Sequence, residues 1–426
     1  MFLSSESGIE AFAILLPLSM ILVLSKLLSI GSRKLGLPQV LGLLMTGVVL
    51  GLITLIPNQN IFNQSAMNGI AFIAEIGVIL IMFSAGLETD LKQIKATGVA
   101  ASVITILGIV VPMGLGFLAS LVLPNVVDVN GNVDMVKTIF RNLFYGVILT
   151  ATSVSVTIAA LKELGKLNTK IGTAIVSAAI LDDIIGVIIL SIIISLNGAV
   201  TSAGGNPTVD ILLVIVKTIL FFICAIAVGI VLKIIFKKLS NRYDHHRRIP
   251  IFALAMAFFY AYAAEKWFGI ADITGAFFAG LILSGDRDSG YIERRTDITS
   301  YLLFTPVFFA KVGLTSIGSF SSINMSFVLF GVLFILAGTL GKLLGCGIGA
   351  KICKYDIKDS IRCGFGMMCR AEVCLICAQK GIDAGIIDAS IQPFILILIL
   401  FTSFITPIAL KQSYKNDIPV DVAQVI

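Results

Sequence analysis

Apolar stretches of roughly 20 residues recur along this chain from end to end, separated by short connections, and that feature leaves few folds open. A helix of that length crosses a hydrocarbon layer of about 30 Å, where backbone polar groups find no water and only helices or closed barrels satisfy them. Composition agrees. Of the 426 residues 57% are apolar and 13% charged, against about 25% charged in an ordinary soluble domain. The core of a large soluble protein also holds helices that are apolar all round, but not so many in succession. The expectation is an all-α polytopic membrane protein with 13 transmembrane helices, at 9–30, 36–56, 68–87, 98–123, 139–161, 171–196, 209–236, 249–266, 268–284, 298–319, 325–350, 360–380 and 388–410. Only Trp267 and Gly269 mark the division within 249–284.

The net charge of +6 is explained by its placement. One set of alternate loops holds Arg33, Lys34, Lys92, Lys95, Lys162, Lys166, Lys170, the run Lys233 to Arg248, Arg287, Arg294, Arg295, Lys351, Lys354, Lys358, Arg362, Lys411 and Lys415. The other holds Lys137, Arg141, Lys266 and Lys380. Lys and Arg accumulate in cytoplasmic loops, so the N-terminus is expected outside and the C-terminus in the cytoplasm, as an odd number of spans requires. Nothing in this distribution calls for nucleic acid. Met1 to Glu10 carry no basic residue before the first apolar run, which reads as a retained span. The seven cysteines lie in or beside apolar segments, Cys374 and Cys377 included, and read as packing residues. His245 and His246 fall in a basic loop with no nucleophile nearby, which argues against an enzyme. The whole of 1–426 reads as one membrane transport domain.

A glycine pattern recurs in inverted orientation. Gly42, Gly47 and Gly51 punctuate the second span, and Gly275, Gly280 and Gly285 the ninth. The spans that follow close in Gly86-Leu87 and Gly313-Leu314. A shift of seven spans reverses direction, as in transporters built from inverted repeats; small residues at this spacing also serve close helix packing.

A charge at the bilayer centre costs at least about 3 kcal/mol, so ionisable residues in mid-span mark function. The sharpest are Asp182 and Asp183 in A-A-I-L-D-D-I-I-G. Adjacent helical residues point about 100° apart, so the two carboxylates meet different neighbours. Burial and like charge favour one holding a proton while the other is free for a cation, the minimum equipment for exchanging protons against a monovalent ion. Lys342 in G-T-L-G-K-L-L-G is the first candidate to pair with Asp182, and Lys311 in F-F-A-K-V-G-L is the competitor. Lys26 and Lys217 sit near span ends, where they can snorkel. Glu75 and Glu265 read as packing or interface charges.

Two segments argue against continuous helix: T-A-T-S-V-S-V-T from Thr150 to Thr157, and G-F-G-M-M-C-R-A-E from Gly364 to Glu372. An unwound helix at this depth exposes carbonyls and amides that bind cations or balance charge, and is tolerated where it lines a cavity. Thr152 and Ser153 are then candidate cation ligands beside Asp183, unless their hydroxyls bond back to their own helix.

Six ordered motifs together resemble the second cation:proton antiporter family, and in particular its bacterial sodium/proton antiporters with a double aspartate. They are A-T-S-V-S-V-T with L-K-E-L-G, A-A-I-L-D-D-I-I-G, G-A-F-F-A-G-L-I-L-S, F-T-P-V-F-F-A-K-V-G-L, G-K-L-L-G and G-M-M-C-R-A-E-V. The resemblance covers about residues 9 to 410. It implies a core near 68–196 and 298–410 in which two broken helices cross beside the aspartates, and a dimerisation or scaffold unit near 9–56 and 209–284. It further implies a homodimer in the cell membrane. Asp183 would be the main cation ligand, with Thr152 and Ser153 completing a sodium site. Asp182 would exchange a proton and pair with Lys342, and Arg370 and Glu372 would stabilise the second break. A lysine at position 342 accompanies electrogenic exchange. Two departures stand out: the usual P-R-G-E reads Cys369, Arg370, Ala371, Glu372, and Lys311 stands where an apolar residue is common.

The expected function is electrogenic sodium or lithium export driven by protons, by an elevator-type alternating access, with no cofactor. A potassium/proton exchanger is the nearest alternative and a sodium-coupled carrier of organic anions a more distant one, since an anion would be repelled by the paired acids.

Overall fold

The computed structural model describes residues 11–34, 39–57, 59–89, 91–127, 131–153, 157–158, 160–161, 164–167, 169–201, 207–242, 248–285, 288–319 and 325–415. His245, His246, Arg287, Lys162, the first ten residues and 154–156 lie outside them. All named elements are helical. The first five are α1 (Ala11–Lys34), α2 (Gln39–Thr54), α3 (Gln64–Glu88), α4 (Leu91–Ser120) and α5 (Met135–Ile148). They are followed by α6 (Lys170–Thr201), α7 (Pro207–Arg242), α8 (Arg248–Ala263), α9 (Asp272–Leu283) and α10 (Ser289–Thr299). The chain ends with α11 (Thr305–Ser319), α12 (Met325–Ile352), α13 (Ile357–Gly366), α14 (Glu372–Asp383) and α15 (Gln392–Tyr414).

Nine helical segments among the described residues are long and apolar enough to cross a membrane, and α2 and α9 are shorter apolar helices. Local chemistry sets several ends. Asn63 caps α3 by accepting a hydrogen bond from the Ala66 amide at 2.8 Å, and Asp134 caps α5 through the Lys137 amide at 2.9 Å. Gly98, at φ 47°, bends α4 so that its apolar portion begins there, as the sequence suggests. α8 runs on through a π-helical turn, Ala264–Phe268, to Gly269 at φ 69°, which separates it from α9 where the sequence marked a division. One boundary differs: the polar stretch from Ser289 is already helix, and a π turn at Ser300–Phe304 joins α10 to α11, so this segment starts nine residues before the expected 298. Its Ile292 and Thr296 are buried, so packing holds a sequence that hydropathy alone leaves in the loop.

The recurring glycines are contact points, and their partners are reciprocal. A Cβ on Gly47 of α2 would lie 2.1 Å from the Ala310 carbonyl of α11, and one on Gly313 2.4 Å from the Leu44 carbonyl. On the other side, a Cβ on Gly280 of α9 would lie 2.2 Å from the Phe83 carbonyl of α3, and one on Gly86 2.1 Å from the Phe277 carbonyl. Helices here approach backbone to backbone, which only glycine permits. Gly280→Ala is therefore expected to destabilise the detergent-solubilised protein by at least about 1–3 kcal/mol, the range for overpacking, because backbone yields less than a side chain. A thermal-shift measurement checks it: an unchanged melting temperature would show that α3 and α9 separate freely.

Breaks interrupt two apolar segments. α5 ends at Ile148, Ala151 to Ser153 are non-helical, and helix is present again at Thr157. α13 ends at Gly366 and α14 begins at Glu372. The second break forms without the usual proline and glycine because its polar backbone groups are satisfied by other means. The Ser153 amide donates to the Cys369 carbonyl at 2.9 Å, and the Thr157 hydroxyl to the Gly366 carbonyl at 2.6 Å. The two breaks are thus bonded to each other.

Candidate cation and proton site

Asp182 and Asp183 sit near the middle of α6, facing the breaks. Asp182 is fully enclosed. Its Oδ1 meets Lys342 Nζ of α12 at 2.6 Å, both side chains being 0% exposed, and its Oδ2 accepts the Thr152 hydroxyl at 2.7 Å. Removing two charges from water is costly unless they pair closely and their remaining valences are bonded; the pair is close, and both oxygens of Asp182 are bonded. Gly108 of α4 lets α12 pack closely beside the pair: a Cβ there would lie 2.5 Å from the Cys346 sulfur. Lys311, the sequence's competing partner, makes no ion pair with any described residue.

Asp183 is placed differently. One of its carboxylate oxygens, Oδ1, is buried with no hydrogen-bond partner, and the side chain borders a cavity of about 660 Å³. Thr152, Glu372, Ser300 and Thr305 line the same cavity, which reaches Glu88 at the end of α3 and Asp297 on α10. On the charge pattern of the loops, that end is the one expected to face the cytoplasm. An unsatisfied buried carboxylate oxygen at the wall of a mostly apolar cavity, with a few hydroxyls and carboxylates beside it, is ready to accept a proton or ligate a cation. The structure changes one expected detail: Thr152 gives its hydroxyl hydrogen to Asp182, leaving only oxygen lone pairs for an ion. Ser153 is bound through its amide to the second break, and its side chain is buried. Thr150, by contrast, bonds back to the Val147 carbonyl of its own helix at 2.8 Å.

Arg370 is 0% exposed; backbone carbonyls and a hydroxyl hold its terminal guanidinium nitrogens and its amide, while Nε is buried without a partner. Its guanidinium donates to the Ala151 carbonyl of the first break and, at 3.1 Å, to the Gly338 carbonyl of α12; its amide donates to Thr402 at 3.1 Å. One buried cation therefore ties the first break to α12. Glu372 opens α14 and borders the cavity.

The sequence left one charged group unassembled. Lys380 of α14 lies between two acids, paired with Glu75 of α3 and, at 2.7 Å, with Asp272 at the start of α9. Glu75 is thus a charge at a helix interface, with Lys380 as its partner, and Lys380 belongs to a helix rather than to a loop. The Asp272 side chain is 6% exposed and that of Glu75 40%. Glu75→Gln leaves the Lys380–Asp272 pair whole, whereas Lys380→Met leaves two acids facing each other. The melting temperature is expected to fall more for Lys380→Met; equal or reversed effects would show that the triad does not hold α14 against α3 and α9.

An all-helical bundle with membrane-length apolar helices and two mutually bonded breaks beside buried acids and a lysine is the architecture of a membrane transport protein. The chain belongs to the transmembrane sodium/hydrogen exchanger family, which it matches over residues 19–414. It is 33% identical, over 95% of its length and 97% of the relative's, to the Na(+)/H(+)-K(+) antiporter GerN of Bacillus cereus. It is 32% identical, over 94% of its length and 97% of the relative's, to the Na(+)/H(+) antiporter of Enterococcus hirae. Its fold resembles that of the sodium proton antiporter MjNhaP1 from Methanocaldococcus jannaschii at pH 8, with a TM-score of 0.69, 21% identity, and coverage of 94% of this chain and 96% of that one.

Proposed function

We propose that this protein exchanges protons for a monovalent cation across the cell membrane, taking sodium or lithium in preference to potassium. The observation that carries the reading is the unequal environment of the two aspartates. Asp182 is matched by Lys342 at 2.6 Å, while Asp183 presents an unpartnered oxygen beside a cavity. Proton and cation then compete for Asp183, with lone pairs of Thr152 and Ser153 completing the cation's shell. An empty, charged site is reluctant to cross the low-dielectric barrier, so exchange is coupled by exclusion. Asp182 releases its proton when Lys342 pairs with it and regains one when the pair parts, which adds a second proton per cycle and makes exchange electrogenic. The membrane potential then contributes about 2.3 kcal/mol per charge per 100 mV.

In this reading the chain crosses the membrane thirteen times, N-terminus outside, with the two broken segments counted as single spans. The reciprocal glycine contacts support an inverted repeat, since exchanging the second span for the ninth and the third for the tenth maps one contact onto the other. A core near 68–196 and 298–410 moves as an elevator against a scaffold near 9–56 and 209–284. The apolar residues exposed along α7, among them Leu212, Val216, Ile223 and Ile230, suit lipid or the second subunit of a homodimer. The cavity opens to one side while the Glu75–Lys380–Asp272 triad closes the other.

The name of the Bacillus relative, which includes potassium, supports potassium as the competing substrate. Reconstitution in proteoliposomes with an imposed pH gradient separates them. Sodium or lithium added outside is expected to dissipate the gradient at lower concentration than potassium, and the apparent KM for sodium to rise as pH falls. Dissipation by potassium alone would establish the potassium exchanger; none by any of the three would remove the antiport reading.

A further inference from the structure

At the edge of the cavity, where Glu88 and Asp297 line it, three acids converge. Carboxylate oxygens of Glu88 on α3 and of Glu293 and Asp297 on α10 all lie within 4.8 Å of one another. Glu293 and Asp297 are four residues apart and share one face of α10; Ser84 and Glu88 are likewise four apart on α3. The cluster thus stands between two facing i, i+4 pairs. Three like charges at this spacing repel; Glu88 is exposed, while Glu293 and Asp297 are half-buried and only partly screened by solvent. The nearby arginines supply little compensation: Arg294 attracts Glu293 at longer range without pairing with it. Arg294 donates to the Gly290 carbonyl at 3.1 Å, and Arg295 lies over the Tyr291 ring at 5.5 Å. Among the described residues no basic side chain forms an ion pair with any of the three acids.

A second observation points to a ligand. Ser84 is 8% exposed and lines the same cavity; its hydroxyl stands close to the Asp297 carboxylate but makes no hydrogen bond of ordinary geometry. A buried hydroxyl is normally paired. Its oxygen adds a fourth donor beside the three carboxylates.

We propose that Glu88, Glu293, Asp297 and Ser84 form a binding site for a hard divalent cation at the cavity mouth, separate from the Asp182/Asp183 site. All four donors are oxygens, the set that magnesium, calcium and manganese prefer over softer metals. Oxygens that share one calcium ion at about 2.3–2.6 Å cannot stand much more than about 5 Å apart, and these satisfy that limit. Three carboxylates place a charge of up to −3 around the site, which favours a divalent over a monovalent ion. An ion held there stands between the opening and Asp183 and restricts entry, a consequence that rests on the antiport reading above.

The site itself is tested without transport. Manganese binding to the purified full-length protein, followed by electron paramagnetic resonance, is expected to saturate at one ion per chain. Magnesium or calcium should displace it, and sodium at equal ionic strength should not. Glu88→Gln and the pair Glu293→Gln with Asp297→Asn change opposite helices, and each is expected to weaken binding at least about tenfold, since affinity follows ligand charge. Asp183→Asn is expected to leave binding unchanged, and gel filtration of every variant establishes that it is folded. No saturable binding, binding that the mouth substitutions leave unaltered, or binding lost with Asp183→Asn would each overturn the proposal. In proteoliposomes, manganese on the cavity side is expected to slow wild-type exchange several-fold and to leave the Glu293→Gln/Asp297→Asn variant unaffected. A protein that binds manganese yet exchanges at full rate has the site without the restriction, and one that binds manganese but exchanges no cation fails the antiport reading instead.

Discussion

Asp183→Asn is expected to reduce cation-driven proton movement to that of protein-free liposomes while leaving the protein folded. The amide keeps the shape of the carboxylate, so packing around α6 survives. What disappears is the charge, and with it both the proposed ligand for a cation and the proposed acceptor for a proton. Because Oδ1 of Asp183 has no internal hydrogen-bond partner, its replacement breaks no structural bond there. Transport and stability should therefore separate at this residue. A variant that still exchanges sodium for protons would show that the exchanged ions ride elsewhere.

At Asp182 the two properties should move together. Lys342→Ala removes one half of a fully buried pair and leaves a carboxylate with only the Thr152 hydroxyl for compensation. Breaking a buried pair from one side costs about 3–5 kcal/mol, because the remaining charge stays desolvated. A marked fall in melting temperature is expected. Removing both charges at once, with Asp182→Asn and Lys342→Met, should recover most of that loss, since no unpaired charge remains. The double variant separates structure from function: it should be stable, should retain exchange through Asp183, and should lose the voltage dependence that the second proton confers. Stability that fails to recover would mean that Lys342 contributes through packing of its stem more than through its charge.

Much of this was legible in the sequence, and the boundary of legibility is physical. Apolar runs of bilayer length announce helices whatever surrounds them. The pair Asp182 and Asp183 stood out because an acid in the middle of such a run is costly. The breaks showed as hydroxyls and glycines where continuous helix would be expected. Partnerships were harder. Lys342 and Asp182 are 160 positions apart, and only the packing of α12 against α4, permitted by Gly108, Gly341 and Gly345, carries the lysine to the aspartate instead of Lys311. Lys380 read as a loop residue because one-dimensional hydropathy ends the span there; Glu75 and Asp272, from two other helices, draw it inside. The second break survived the loss of its usual proline and glycine because Ser153, Thr157 and Arg370 bond to its surroundings from outside the motif. The acids at the cavity mouth lie outside the apolar runs and carry no signal there, since the helix that aligns Glu293 with Asp297 begins before hydropathy marks it.

The central claim is that a proton and a metal cation compete for Asp183. The measurement that meets it most directly is proton release on sodium addition to the purified protein in weakly buffered detergent solution. Wild-type protein is expected to release protons saturably as sodium is added, with half-saturation shifting to higher sodium at lower pH, and Asp183→Asn to release none. No release from folded wild-type protein, or equal release from the variant, would contradict the account.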